Sequence, residues 1–269
     1  MKRLQFFCVA LLMAITVRAQ EPIFLLMEFM KVSPSQTAAY WETETFWQKI
    51  HEQRAMAGDI VGWDLFSLTP GDITDGYQFM TVQQFSDPAK MMGDGMSWEK
   101  LLGYAKKAYP DMSDEDIEAK IMKSGETRLL DKRRFLRIID GTEGELDFKK
   151  GMIAQIDFMK VDFNSMGAYE AYHQAENGVF KPDHQKQVDA GYKMGWGLGM
   201  VMSPMGSDTY ATHITWNFFN DWNQYFNRWN NDDEEASAEM LKKIRDGLAT
   251  RDMRMSVLAE LQMMARTPE

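Results

Sequence analysis

The chain carries one motif twice, and that repeat limits its possible folds more than any other feature. "HEQRAMAGDIVGW" (residues 51–63) and "HQKQVDAGYKMGW" (residues 184–196) hold His, Ala-Gly, Gly and Trp at identical spacings. Flanking anchors extend the match in one order. "FMKV" occurs at 29–32 and again at 158–161, each time after an acid, Glu28 or Asp157. Tyr40 and Tyr169 follow at equal distance, then Pro70 and Pro204, Tyr77 and Tyr210, "FSD" at 85–87 and "FND" at 219–221, and "TR" at 127–128 and 250–251. Anchors in a fixed order over this length mean two copies of one structural unit.

Each copy spells the same elements. In the first, "IFLLMEFMKV" (23–32) has strand length, and Ser33-Pro34-Ser35-Gln36 offers an N-cap, a proline at the first helical position and a capping-box Gln. Tyr40, Trp47, Ile50 and Arg54 trace a helical face that Gly58 ends. "IVGWDLFSL" and "YQFMTVQQF" then read as strands joined by "TPGDITDG". Asp87-Pro88 caps a broken helix to about Ser124, and "RRFLRIID" (133–140) closes the unit as a fourth strand. The second copy predicts strands at 152–161, 193–202, 210–219 and 253–261, with helices from about Asn164 and over 234–246. In the latter copy Trp222, Tyr225, Phe226 and Trp229 fall at helical spacing, the signature of a stripe turned toward a core.

The order β-α-β-β-α-β is the split βαβ, ferredoxin-like arrangement, with both helices on one sheet face. The predicted class is therefore α+β: two tandem ferredoxin-like repeats, over 20–140 and 151–269, joined by a linker at 141–150 and closing one barrel within the chain. With "MEFMKV" and "IDFMKV" as first strands and "H…AG…GW" at each helix end, the sequence resembles the dimeric α+β barrel superfamily. The nearest branches are the NIPSNAP-like and antibiotic-biosynthesis-monooxygenase-like ones. Met30 and Met159 stand where NIPSNAP-like units carry Arg. The resemblance implies chemistry ranging from cofactor-free oxygenases to haem enzymes.

The first 19 residues are a separate matter. Lys2 and Arg3 precede an apolar run from Phe6 to Val17, and Val17-Arg18-Ala19 suits signal peptidase. The run is short for a bilayer span. We expect an export leader, cleaved near Ala19, and a soluble periplasmic or extracellular protein. Its single cysteine, Cys8, lies in that leader, so the remainder has no disulfide and no thiol nucleophile. Losing Lys2, Arg3 and Arg18 moves the formal charge from -10 to -13, with 27 basic against 40 acidic side chains. That charge argues against nucleic-acid partners. No later stretch is apolar enough for a membrane span.

Strand alternation divides the faces. Placing Met27, Phe29, Ile156, Phe158, Ile214, Trp216 and Phe218 under the helices turns Glu28, Gln78, Gln155, Asp157, His213 and Asn217 into the lumen. Asp157 and His213 then fall on neighbouring strands, where a carboxylate orienting an imidazole is the usual arrangement for a general base. The first copy has Glu28 and Met80 at those positions, so the pair belongs to the second copy alone. His184 and Trp196 join the candidate ligand-binding set. The second copy also has four extra residues before its His, Gly178 and Pro182 should interrupt its helix there, and alternating Gly195, Gly197 and Gly199 leave room for backbone approach or a ligand. The competing reading makes His51 and His184 structural, at a corner turned by Gly58 and Gly191, and Asp157–His213 a buried pair.

Four His without clustered spacing argue against a metal site, and no phosphate loop or nucleophile elbow is present. The 23 Met suit core packing. The expected function is binding of a small, partly apolar molecule in the lumen. The alternatives are an oxygenase or isomerase using His213 and Asp157, a haem enzyme with His184 or His213 as axial ligand, and an interaction scaffold, with homo-oligomers possible for each.

Overall fold

The computed structural model describes residues 22–69, 76–228 and 237–267. The expected leader, Pro70 and Trp229 lie outside these residues. The first half runs β1 (Phe24–Lys31), a 3-10 turn at Pro34–Gln36, α1 (Thr37–Met56), β2 (Gly62–Thr69), β3 (Phe79–Phe85), α2 (Pro88–Met91), α3 (Trp98–Ala108), α4 (Asp114–Lys123) and β4 (Leu129–Gly141). The second runs β5 (Ile153–Lys160), α5 (Met166–Ala175), a π-turn at Glu176–Phe180, α6 (Lys181–Asp189), β6 (Gly195–Ser203), β7 (His213–Phe219), α7 (Trp222–Asn227), α8 (Ala238–Leu248) and β8 (Asp252–Arg266). The β-α-β-β-α-β order thus appears twice.

The eight strands form one closed antiparallel barrel in the order β1-β3-β2-β8-β5-β7-β6-β4. Each half supplies a contiguous 4-1-3-2 sheet, and the long last strands make the seams: β8 pairs with β2, and β4 with β6. Closure removes every free sheet edge. Local signals act as expected at several points. Asp87 Oδ1 accepts from Ala89 N at 2.8 Å, and Gly58 and Gly191 take φ of +66° and +77°, the left-handed turn only glycine adopts cheaply. Ser33 makes no side-chain cap; Pro34 begins a 3-10 turn instead.

The barrel corrects the strand phasing of β1, β5 and β7. The cluster built from all eight strands and no helix, including Leu25, Met27, Phe29, Phe66, Met80, Val82, Leu136, Ile156, Phe158, Val201, Ile214, Trp216, Ala259 and Leu261, fills the lumen. The helix-covered face instead carries Phe24, Leu26, Met30, Trp63, Leu65 and Phe79 in the first half and Met159, Trp196 and Leu198 in the second. Glu28, Gln155, Asp157, His213 and Asn217 therefore lie outside the lumen, under the helix layer. The interior of an eight-stranded barrel is just wide enough for side chains to fill, and here this apolar cluster fills it.

The glycine stripe serves this packing. A Cβ on Gly199 would lie 2.7 Å from Trp216 Cη2, and one on Gly195 2.8 Å from Leu146 Cδ2. The space expected for a ligand holds Trp216 and Leu146. The lumen keeps one ion pair near an end, Asp64 with Arg266 at 2.7 Å, joined by Gln84 at 2.8 Å. The aromatic stripe on α7 is only partly a core face: Tyr225 is buried, whereas Phe226 is 61% exposed. Among the described residues, no helix is long and apolar enough to cross a membrane.

Candidate functional site

Superposing the halves by register exposes what differs. Phe85 and Phe219 pair with Phe24 and Ile153, and Phe79 and His213 with Met30 and Met159. The counterpart of His213 is thus Phe79, not Met80. The Tyr77–Tyr210 and Phe85–Phe219 anchors differ by one residue in spacing, and a one-residue slip exchanges strand faces.

The helices need a similar adjustment. Tyr40 and Glu44 on α1 are buried against Arg128, with Arg128 Nη1 2.8 Å from Glu44 Oε1. In the second half Tyr172, Glu176 and Arg251 repeat this group, with the ion pair at 3.3 Å. Tyr40 therefore corresponds to Tyr172 rather than Tyr169, and three of the four extra residues precede α5. The fourth is taken up by the π-turn, which contains Gly178, while Pro182 sits in the first turn of α6, and neither breaks the helix. Burial raises Glu44 to about 7 and raises Glu176 as well, each opposed by its Arg.

The opening motif is a stacking pair. The His51 ring lies 4.9 Å from Trp63 at 18°, and His184 lies 5.0 Å from Trp196 at 28°. In both halves the imidazole Nδ1 accepts from a cation, but the cation differs. Arg54 Nη1 donates to His51 at 3.2 Å while its Nε donates to Asp59 at 2.8 Å. Lys193 Nζ donates to His184 Nδ1 and to Asn217 Oδ1, both at 2.8 Å.

Around Lys193 the second half holds a cavity of about 450 Å³ between the outer face of the sheet and the helices. Gln155, Asp157, Met159, Thr215, Asn217 and Phe219 form its floor; Glu176, Phe180, His184 and Gln187 form one wall; Lys193, Trp196, Arg228, Leu248, Arg251 and Met253 complete it. The volume lies in the usual range for small-molecule sites. The helix geometry contributes directly, since Glu176 and Phe180 are the two ends of the π-turn.

Five of the eight residues singled out from the sequence meet here: Gln155, Asp157, His184, Trp196 and Asn217. Three do not. Glu28 is in the other half, bonded to Arg133 Nε at 2.9 Å. Gln78 Oε1 accepts from Val32 N at 2.7 Å. His213 is fully buried beside the cavity, and its two nitrogens meet Thr212 Oγ1 and His173 Nε2, each at 3.0 Å. Asp157 is held by Gln155 Nε2 at 3.0 Å and Ser256 Oγ at 2.5 Å. The expected Asp157–His213 pair does not form. Burial, then His173, lowers His213 to about 3, a neutral ring.

Lys193, Arg228 and Arg251 were missed. Arg251 had a signal in the repeated "TR", and Lys193 stands where the first motif has Ile60. Burial is the chief reason that Lys193 is lowered to about 8; Asp183 and Asp157 work against it and Arg228 with it. His184, lowered to about 3 by burial and then Lys193, is neutral.

These residues do not fit haem. An ammonium only donates, so His184 Nδ1 is an acceptor and the ring proton sits on Nε2. The nitrogen left for iron then carries hydrogen, not a lone pair. His213 has both nitrogens engaged and no exposure. Among the described residues, no group of three or more His, Cys, Asp and Glu side chains could hold a metal ion.

No family model matches the sequence, and no curated protein does. Solved structures do match over nearly the whole chain. An anthrone oxidase-like protein aligns with TM-score 0.55 at 10% identity, covering 93% of this chain and 95% of its own. A candidate monooxygenase from Fusobacterium nucleatum gives 0.54 at 10%, covering 91% and 94%. Another from Lactobacillus acidophilus gives 0.51 at 9%, covering 92% and 97%. The fold is the dimeric α+β barrel, closed here within one chain. At such identities the likeness concerns the fold alone.

Proposed function

We propose that this chain is an exported, soluble α+β barrel protein whose second half binds a small, partly apolar molecule in the cavity between sheet and helices. One observation carries the reading. At matched positions the first half packs Leu26 and Ile60 in its helix-covered core, where the second has Gln155 and Lys193 around a cavity. Burying such groups costs free energy that core packing alone does not return. Phe180, Trp196, Phe219, Leu248 and Met253 supply apolar contact. Native mass spectrometry of protein purified from its own compartment tests this directly: a stoichiometric small molecule is expected. An empty chain that also fails to bind apolar probes overturns the reading.

A second reading, an enzyme acting in the same cavity, is favoured by the Lys193 amine on the cavity wall, which burial lowers to about 8, within the range of a general base. Oxidation, for which the fold neighbours are named, is the reaction class to test first. Products accompanying the bound molecule would separate turnover from binding. We further infer that the halves descend from a tandem duplication, nearest the NIPSNAP-like and antibiotic-biosynthesis-monooxygenase-like branches. Export predicts a mature N-terminus near residue 20; an intact Met1 on protein from the native host would contradict it.

A further inference from the structure

The two halves handle their buried cation differently, and the difference bears on the ligand. In the first half, Arg54 beside His51 is neutralised: its guanidinium bonds Asp59 at 2.8 Å, and Lys100 adds a second contact to that carboxylate at 3.0 Å. In the second, both parts of that pair are replaced. Gln187 stands at the Arg54 position and Tyr192 at the Asp59 position, and the cation comes instead from Lys193, where the first half has Ile60.

Lys193 is only 4% exposed, and its two hydrogen-bond partners, Asn217 Oδ1 and the neutral His184 ring, carry no charge. Among the described residues, no carboxylate lies within 4.0 Å of its Nζ. The nearby acids are committed elsewhere: Asp183 to Gln187, Asp157 to Gln155 and Ser256, Glu176 to Arg251. An ammonium out of water with neutral partners is costly, and proteins retain one where something else supplies the charge. An ammonium has three N–H groups and two are used here, which leaves one for a further acceptor.

We propose that Lys193 binds the anionic group of the ligand, which is a small apolar or aromatic acid, most simply a carboxylate. The acid group takes the third N–H of Lys193, and Trp196, Phe180 and Phe219 meet the apolar body. The tautomer of His184 adds to this arrangement, because a ring whose Nδ1 accepts from Lys193 offers an N–H donor at Nε2. The inference deepens the proposed cavity function and rests on it.

The probes are 1-anilinonaphthalene-8-sulfonate and its uncharged counterpart, N-phenyl-1-naphthylamine, titrated by fluorescence into the full chain. Wild-type protein is expected to prefer the anion by roughly tenfold or more, as a charge-assisted hydrogen bond gives. Lys193→Met should erase that preference and keep the affinity for the neutral probe, with a melting temperature no lower than wild type. Lys181→Met, which removes a half-buried cation paired with Asp140 outside this cavity, should change neither affinity. A preference unchanged in Lys193→Met overturns the anion assignment and leaves the cavity function standing; wild-type protein that binds neither probe overturns both. Should Lys193→Met fail to fold, competition on the wild-type chain decides instead. Naphthalene-1-carboxylate should displace the bound anion where 1-naphthalenemethanol does not, and equal displacement overturns the assignment.

Discussion

The lumen offers a sharp test, because its packing separates a structural barrel from a ligand-holding one. Gly199 faces the Trp216 indole: an added methyl would lie 2.7 Å from Cη2, 2.9 Å from Cζ3 and 3.4 Å from Leu136 Cδ2. The ring belongs to a buried cluster drawn from every strand, so it has nowhere to retreat. Gly199→Ala is therefore expected to cost about 1–3 kcal/mol, the usual penalty of overpacking. Trp216→Val empties the same space and should cost about 2–4 kcal/mol. In the double variant the methyl enters the vacated volume, so the cost should fall below the sum of the singles by roughly 1–3 kcal/mol. The first half already combines bulk at the glycine position with Val at the other, as Phe66 and Val82. Urea unfolding of the four proteins measures the cycle. Strict additivity, or a neutral Gly199→Ala, refutes the packed lumen. So does loss of probe binding in Trp216→Val, since the cavity lies on the opposite face of the sheet.

Arg251→Met leaves the buried Glu176 carboxylate unpaired and should cost about 3–5 kcal/mol in thermal or urea unfolding, with most of it recovered in Glu176→Gln/Arg251→Met. Glu44 is raised from 4.5 to about 7 when folded, so its contribution is full below pH 4.5 and lost as pH rises through 7; Glu44→Gln should flatten that decline, which amounts to at most about 3 kcal/mol, in melts taken across this range. His213→Ala should lower stability by about 1–3 kcal/mol and leave probe affinity intact, because the ring serves Thr212 and His173 rather than the cavity; lost binding at unchanged stability would restore a functional His213. Deleting Gly178 returns the Glu176-to-His184 spacing to that of Glu44 and His51 and should convert the π-turn to α-helix. Helical circular dichroism should survive while probe binding weakens, and full-strength binding would show that the π-turn does not shape the cavity.

The repeat made the fold legible. Period-2 and period-3.6 patterns marked most elements, and a ferredoxin-like unit that covers one sheet face must bury the other, which in two copies closes a barrel. What the sequence hid was which face was which. β1 reads FLLMEFMK, apolar on both sides with one acid, so alternation gave no contrast. Assigning the polar residues to the lumen assumed an open interior, whereas this one is filled by a close-packed apolar cluster, with the Asp64–Arg266 pair near one end. Five of the eight candidate residues nevertheless line one cavity. Gln155, Asp157 and Asn217 share a face whichever way the sheet is turned, and the helix-end motif brings His184 and Trp196 onto that same face. Lys193 opens the strand expected at 193–202, where nothing in its sequence context marks burial, and only the fold shows it buried.

The position of the cavity follows from how each half covers its sheet. In the first half α3 and α4 build a small core of their own against α1, through Phe46, Ile50, Tyr104, Ile117 and Ile121. Below it, Leu26, Ile60, Trp63 and Phe79 pack directly against Tyr40 and Ala55. The second half keeps the devices that fix helix to sheet, namely the His–Trp stack and the Tyr–Glu–Arg group, at the two ends of its helix layer. Between those fixed ends it has an extra residue in the helix and polar groups on the strands. Because both ends are anchored, the intervening positions can depart from close packing without releasing the helix from the barrel. Lys193 lies in that interval, with its ammonium held by the conserved-in-both-halves imidazole at one end and by a strand amide at the other. The same architecture that closes one half therefore leaves the other with a cavity, floored by strands of the barrel.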